Sequence, residues 1–412
     1  MTTRLQLRVH KVMSGEEALS GAVADIIPIS NEESAPIYKG VVIPVGHSAS
    51  HTIDVVPGRY LVRAYLPSGS LLSQQVDAEA GKTTETTLVA RVTPHEWLGW
   101  QDLVGQRTLE KRQHPSASTH PQLLLAEPMS GEAMWSMVEQ VTTTRPWSIA
   151  ETTVALRDIQ AGPSPSQSDD QTCSFLVEAP GASADRQRYC IVERDGAIDL
   201  LSLPMPWRRL HRQRGEEPAP IDIAVPRDRR EPASVAVQDA ELGPLLGFMA
   251  SGRLDAAREI IKKGGEAYQQ VFMALHRKLE NPFAAAAGAC LLLQLDREEA
   301  AEWHPWVENL AAWFPWLPDG AVLRGALRLS NARSNEDLLA ARDAFAEGWK
   351  RGIPTLAPVL RLLLDGASTL VDDPDAEAGD LRAMLPAIGR AAACMVTDQP
   401  FTCLRLGCRG LT

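Results

Sequence analysis

Hydrophobic and polar residues alternate strictly where the chain begins. Leu5, Leu7 and Val9 interleave with Arg4, Gln6, Arg8 and His10. That period of two predicts a strand with one buried face. Residues 22–29 and 37–45 are further runs rich in β-branched side chains, separated by polar turns. Pro57-Gly58 reads as a turn between two strands, with Gly58 supplying the positive φ of a type II turn. Beyond it Tyr60, Val62 and Ala64 share one side, and Leu61, Arg63 and Tyr65 the other. Ser68-Gly69 turns the chain again, and residues 71–76 and 83–89, joined through Gly81-Lys82, complete the set. Short strands with regular turn signals predict an antiparallel β-sandwich over residues 1–92.

Residues 93–146 read as a linker with short helices. Within it 106–121 is polar and flexible, and 131–141 has a helical pattern. Residues 147–233 form a second β-rich region with flexible loops. Its clearest signal is Asp195-Gly196 between two apolar runs, 188–194 and 197–203, which predicts a two-residue hairpin. From Ser234 the period turns helical, with Leu242, Leu245, Leu246 and Met249 on one face. Ala256-Ala257 recurs as Ala300-Ala301 and as Ala340-Ala341, each pair after a charged turn. Residues 234–412 therefore read as degenerate helical repeats of the tetratricopeptide type, less regular than a repeat of about 34 residues. The expected fold class is multidomain α+β: a sandwich, a β-rich middle and a helical-repeat end.

One stretch departs from ordinary patterning. Four of the ten tryptophans, Trp303, Trp306, Trp313 and Trp316, crowd together among Pro305, Pro315 and Pro318. Each such ring can remove ~150–250 Å² from water. Spacing of three places Trp303 with Trp306, and Leu310 with Trp313, on one helical face. The cluster is either the buried face of a helical repeat or an exposed docking anchor, since tryptophan is enriched among binding hot spots. These four residues are the candidate partner-binding set. His304 inside the cluster reads as a packing residue or a partner contact.

Composition narrows the choice of function. A formal net charge of −11 argues against a nucleic-acid surface over the whole molecule. Arg208, Arg209, Arg212 and Arg214, with Arg227, Arg229 and Arg230, are a local exception. They flank Pro- and Glu-containing sequence without an aromatic platform, and read as a solvated linker. The N-terminus carries no apolar signal region, and the longest apolar run, 283–293, is too short to span a bilayer. A cytoplasmic protein without a membrane segment is expected. Six scattered cysteines lack metal spacing and read as reduced thiols. No cofactor or metal is expected. The sequence holds no phosphate loop, GxSxG elbow, HExxH motif or calcium loop. Cys173 or Cys190 with His211 is the least remote nucleophilic pair, but both cysteines fall in expected strand cores. Asp169-Asp170 and Asp372-Asp373 read as solubilising loop charges. A non-enzyme is expected.

Two resemblances add to this reading. The order Pro57-Gly58, Arg59-Tyr60-x-Val62-x-Ala64, Pro67-Ser68-Gly69, Ala80-Gly81-Lys82 resembles small transthyretin-like and PEGA-like sandwiches, over residues 50–90. Such domains bind or present. Residues 281–293 (Asn-Pro-Phe-Ala-Ala-Ala-Ala-Gly-Ala-Cys-Leu-Leu-Leu) and 306–321 (Trp-Val-Glu-Asn-Leu-Ala-Ala-Trp-Phe-Pro-Trp-Leu-Pro-Asp-Gly-Ala) resemble another group. These are bacterial proteins encoded beside caspase-like peptidases in conflict and antiphage systems, type III CRISPR loci among them. That resemblance implies a non-catalytic regulatory protein that a caspase-like peptidase recognises and can cut. Residues 106–121, 162–170 and the Arg-rich linker from Arg208 to Arg230 suit such a cut, and the last, with basic residues ahead of a cut, is the candidate place of cleavage. A module that binds a small molecule or peptide is the alternative.

Overall fold

The computed structural model describes residues 3–11, 20–29, 38–45, 50–65, 71–90, 121–143, 152–168, 172–178, 186–194, 197–208, 218–219, 221–228, 231–237, 246, 266–295, 302–397 and 399–406. The chain divides into two units, residues 1–110 with 238–270, and residues 111–237 with 271–412. It is mixed α+β, with β-sheets toward the N-terminus and helices toward the C-terminus.

The first unit holds β1 (Thr3–Lys11), β2 (Ser20–Pro28), β3 (Tyr38–Val45), β4 (His51–Val55), β5 (Gly58–Tyr65), β6 (Leu71–Ala78) and β7 (Thr83–Ala90). Their order is β4-β1-β3-β2-β5-β6, with β7 on β1. The alternation at the start of the chain does what it predicts: Leu5, Leu7 and Val9 are fully buried while Arg4 is exposed. Tyr60, Val62 and Ala64 join them in one core with Ala24, Ile26 and Ile43. Pairing is antiparallel except at β1, which runs parallel to β7 from Arg4↔Thr83 to Lys11↔Ala90 and touches β3 in parallel at Val9↔Val45. The Pro57-Gly58 turn does not close a hairpin. β4 pairs with β1, and β5 with β2 and β6. Gly58 sits at φ 159°, close to extended, and not near the +80° that a type II turn needs. The left-handed position falls instead at Gly81, at φ 71° between β6 and β7, where a Cβ would be strained.

In the second unit, β8 (Gln122–Pro128) leads through α1 (Gly131–Thr143) to β9 (Leu156–Ala161). Then come β10 (Gln167–Ser168), β11 (Thr172–Val177), β12 (Arg188–Arg194), β13 (Ala197–Leu203), β14 (Trp207–Arg208), β15 (Pro218–Ala219), β16 (Ile221–Pro226) and β17 (Ser234–Val237). Of the helices, α2 (Glu266–His276) begins within the first unit's residues and ends in the second, and α3 (Pro282–Leu295), α4 (His304–Trp313), α5 (Pro318–Asn331), α6 (Asn335–Arg351), α7 (Ala357–Asp372) and α8 (Gly379–Cys394) belong to the second. A last strand, β18 (Cys403–Leu406), follows them. The hairpin expected around residues 195–196 is present, since β12 and β13 pair from Arg194↔Ala197 to Arg188↔Leu203. β18 then adds to the free side of β13, giving an antiparallel sheet of order β18-β13-β12-β8-β9. A second antiparallel sheet runs β10-β11-β16-β17.

A buried charge ties the middle sheet together. Asp199 on β13 is 1% exposed and pairs with Arg194 of β12 and, at 3.6 Å, with Arg405 of β18. It also accepts the backbone N–H of Ala233 at 3.0 Å. One oxygen takes both hydrogen bonds and the other has only the nearby Arg405 charge, which together offset part of the cost of burying a carboxylate.

The helices follow from composition. From Pro282 to Leu292 every residue of α3 is buried, as an all-apolar helix must be. Ser334 and Asp337 form a capping box at the start of α6. Of the recurrent alanine pairs, only Ala340-Ala341 lies among the described residues, with Ala341 in the core. Phe345 of α6 is packed between two glycines, Gly325 of α5 and Gly366 of α7. A Cβ on Gly366 would lie 2.2 Å from its ring, and one on Gly325 3.0 Å from it.

Candidate functional site

The four clustered tryptophans do not act as one surface. Trp303 is buried at 1% exposure and is a packing residue, with the ring of half-buried His304 edge-on at 4.4 Å. Trp316 is half-buried and meets Phe283 at 5.6 Å and Phe314 at 6.2 Å. Trp306 is half-buried against Phe272 and His276, at 4.6 and 4.8 Å. Trp313, the last residue of α4, is 52% exposed.

A lysine joins two of these rings. Lys278 follows α2 and is only 3% exposed. Its ammonium lies 5.2 Å from the Trp313 ring centre and 5.8 Å from that of Trp306. It donates a hydrogen bond to the Leu275 carbonyl at 3.5 Å. Burial holds its amine below the ordinary lysine value. The result is a cation bracketed by two indoles, one of them open to solvent.

Of the seven arginines of the candidate linker, Arg208 and Arg227 are described and both are half-buried. Arg208 belongs to β14, and its carbonyl accepts the Asn281 amide at 2.8 Å. These two are thus parts of folded structure. Arg209, Arg212, Arg214, Arg229 and Arg230 lie outside the described residues, as do His211 and Asp169-Asp170. Cys173 and Cys190 are fully buried, and burial followed by the charge of Asp199 pushes the Cys190 thiol up, which leaves it inert as a nucleophile. Asp373 is more than a solubilising charge: its carboxylate accepts the Asp375 N–H at 2.9 Å and caps a short 3-10 turn. Among the described residues no group of His, Cys, Asp or Glu is placed to hold a metal ion. No helix among them is long and apolar enough to cross a membrane.

The structure also builds two sites that local spacing did not single out. The first is Asp319, in the first turn of α5 and fully buried. Its two oxygens accept the backbone N–H groups of Thr355 at 2.8 Å and Leu356 at 2.9 Å, capping the start of α7. Burial is the largest influence on it and pushes its carboxyl up to about 6, against the lowering effect of those hydrogen bonds. Burial and then its charge raise the Tyr189 hydroxyl, and push the Cys290 thiol up to about 12.

The second is a cleft of about 330 Å³ bordered by α1, α6 and α8. Gly131 makes it possible, because a Cβ there would lie 2.2 Å from the Lys350 carbonyl, so only glycine lets α1 start against the end of α6. One turn later Trp135 donates its indole N–H to the Trp349 carbonyl at 2.7 Å. The two rings stack with centres 6.0 Å apart and planes 8° from parallel. Ala383 and Ala387 of α8 form the opposite wall, with Glu139 and Asp380 also lining the cleft. Glu139 pairs with Arg390 across α1 and α8 at 2.7 Å. Trp135 and Trp349 are 214 residues apart, so nothing in local sequence links them.

Residues 244–402 match the family described as the Y4kD C-terminal domain. The match is less than half of the chain. It takes in the clustered tryptophans, Asp319 and Trp349, and leaves out the first seven strands, α1 and β18. No curated protein and no solved structure matches the chain.

Proposed function

We propose that this chain is a non-catalytic interaction protein that docks a protein partner on its Trp313 face. The partner we propose is a caspase-like peptidase of a bacterial defence system, for which the chain is also a substrate. Trp313 carries the docking part: a tryptophan 52% exposed at the end of a helix, with the Lys278 ammonium 5.2 Å from its ring. Large aromatics on a fixed support are the commonest anchors of protein interfaces. Lys278, buried beneath that anchor, steadies the indole through the cation–π contact and leaves the ring itself as the docking surface. The resemblance of residues 281–293 and 306–321 supports the peptidase as partner. In this reading the helices serve as a degenerate tetratricopeptide-like scaffold, and cleavage falls between Arg208 and Arg230 in the cytoplasm.

The test is a tagged pull-down from the native host, with the wild-type chain and Trp313→Ala side by side. A caspase-like peptidase held by the wild type and lost by the variant is expected, together with a cut between Arg208 and Arg230. An intact bait without a peptidase would sink the proposal. A second reading, a module for a small molecule or peptide, is favoured by the cleft at Trp349.

A further inference from the structure

The cleft between α1, α6 and α8 does not depend on the Trp313 face, and its chemistry speaks for one kind of occupant. We propose that it receives the guanidinium of an arginine presented by a partner polypeptide.

Three observations converge on that class. The first is size. At about 330 Å³ the cleft lies near the small end of ligand sites, which span roughly 300–1,000 Å³. That suits one long side chain better than a nucleotide or a cofactor. The second is the floor. The Trp349 indole is backed by the nearly parallel Trp135 ring, whose N–H is fixed on a backbone carbonyl. Indole faces attract cations, and a planar guanidinium stacks on them while shedding water more easily than an ammonium does. The small side chains of Ala383 and Ala387 leave the space above this floor open.

The third is charge. Glu139 and Asp380 both line the cleft. Glu139 already holds one guanidinium, that of Arg390. Asp380 has no ion-pair or hydrogen-bond partner among the described residues. The cleft therefore carries one carboxylate that no side chain pairs among the described residues, held by water and the N-terminal dipole of α8, in a chain whose net charge is −11. An anionic occupant would meet repulsion. A neutral one would make no use of the Asp380 charge. Arginine satisfies the indole face and the carboxylate at once.

The experiment uses the full chain labelled with fluorotryptophan and read by fluorine NMR, with Trp135→Phe and Trp349→Phe assigning the two resonances. The probe is a short capped peptide with one arginine between serines and glycines. Its control carries citrulline, which keeps the shape and removes the charge. The Trp349 resonance should move with the arginine peptide. The citrulline peptide should bind about fivefold more weakly or worse, as should the arginine peptide to Asp380→Asn. Ala383→Trp fills the cleft and should abolish the shift. Asp380 and Ala383 are both exposed, so the folded state tolerates these changes, and an unchanged melting temperature verifies it. A Trp349 resonance that stays still up to ~10 mM arginine peptide would overturn the proposal. So would equal binding of the citrulline peptide, or a shift that survives Ala383→Trp. Saturation by tetramethylammonium without any response to the peptide would overturn the polypeptide source.

Discussion

The carboxylate of Asp319 accepts the backbone N–H of Leu356 at 2.9 Å, so a side chain in the first turn of α5 closes the first turn of α7. Its second oxygen takes the Thr355 N–H. The cap is fully buried, which makes it sensitive to protons. Asp319 titrates near 6 in the folded chain against an ordinary 3.8, so the folded state binds this proton more tightly than the unfolded one. Its contribution is fully present below about pH 4 and is lost as pH rises through about 6, a change of roughly 3 kcal/mol. Asp319→Asn should remove that slope. It should also lose a cap acceptor, at about 1–3 kcal/mol. The check is urea denaturation of both proteins from pH 4 to 7. A difference between them that does not vary with pH would refute this account.

Phe345 leaves no room beside it. Gly366→Ala places a methyl 2.2 Å from its ring, closer than any packing allows. The expected loss is about 2–3 kcal/mol. Phe345→Leu costs stability by itself but opens space, so the two changes together should be less harmful than their sum. A double-mutant cycle without a coupling of at least ~0.5 kcal/mol would show that the helices shift instead.

The tryptophans of the cluster should separate by role. Trp303→Ala empties a buried site and should cost about 3–5 kcal/mol. Trp313→Ala should leave the melting temperature nearly unchanged and weaken partner capture. Equal thermal effects of the two would contradict the exposure difference between 1% and 52%.

Asp199 anchors two arginines from strands on either side of its own. Asp199→Ala removes the carboxylate that Arg194 and Arg405 both approach, and about 3–5 kcal/mol should be lost. The surface pair Arg59–Asp77 is the control: Asp77→Ala should not move the urea midpoint. Equal effects of the two substitutions would mean that Asp199 is not the keystone described.

Local patterns announce which face of an element is buried. They reveal little about what it is buried against. Leu5, Leu7 and Val9 told of a strand with an inner face, and the apolar run from Phe283 told of a buried helix. The residues flanking positions 195–196 told of a hairpin, because a two-residue turn fixes its own partners. The parallel pairing of β1 with β7 has no such local cause, since distant strands are matched only by packing. Docking of β18 was equally hidden. In the clustered stretch the spacing of three gave the helix but not the fate of each ring. Trp303 and Trp313 differ because Val307, Leu310 and Ala311 carry the buried face of α4, which Trp303 continues and Trp313 points away from. The cleft at Trp349 escaped the sequence altogether. Its floor needs Gly131 to bring two helices together, and its acids look like ordinary helix surface until that happens.

The pairing of β13 with β18 bears on what a protease would achieve. A nick anywhere between Arg208 and Arg230 would divide the second unit into an early and a late fragment. β18 from the late piece would still be zipped to β13 of the early one, and β16, where it falls on the late side, to β11. Such halves behave as a split protein: severed in covalent terms, yet complemented in place. Cleavage would therefore act first as a change in tension and exposure around the cut ends. Departure of a fragment would need a further force, such as a partner that grips one half and peels the last strand away.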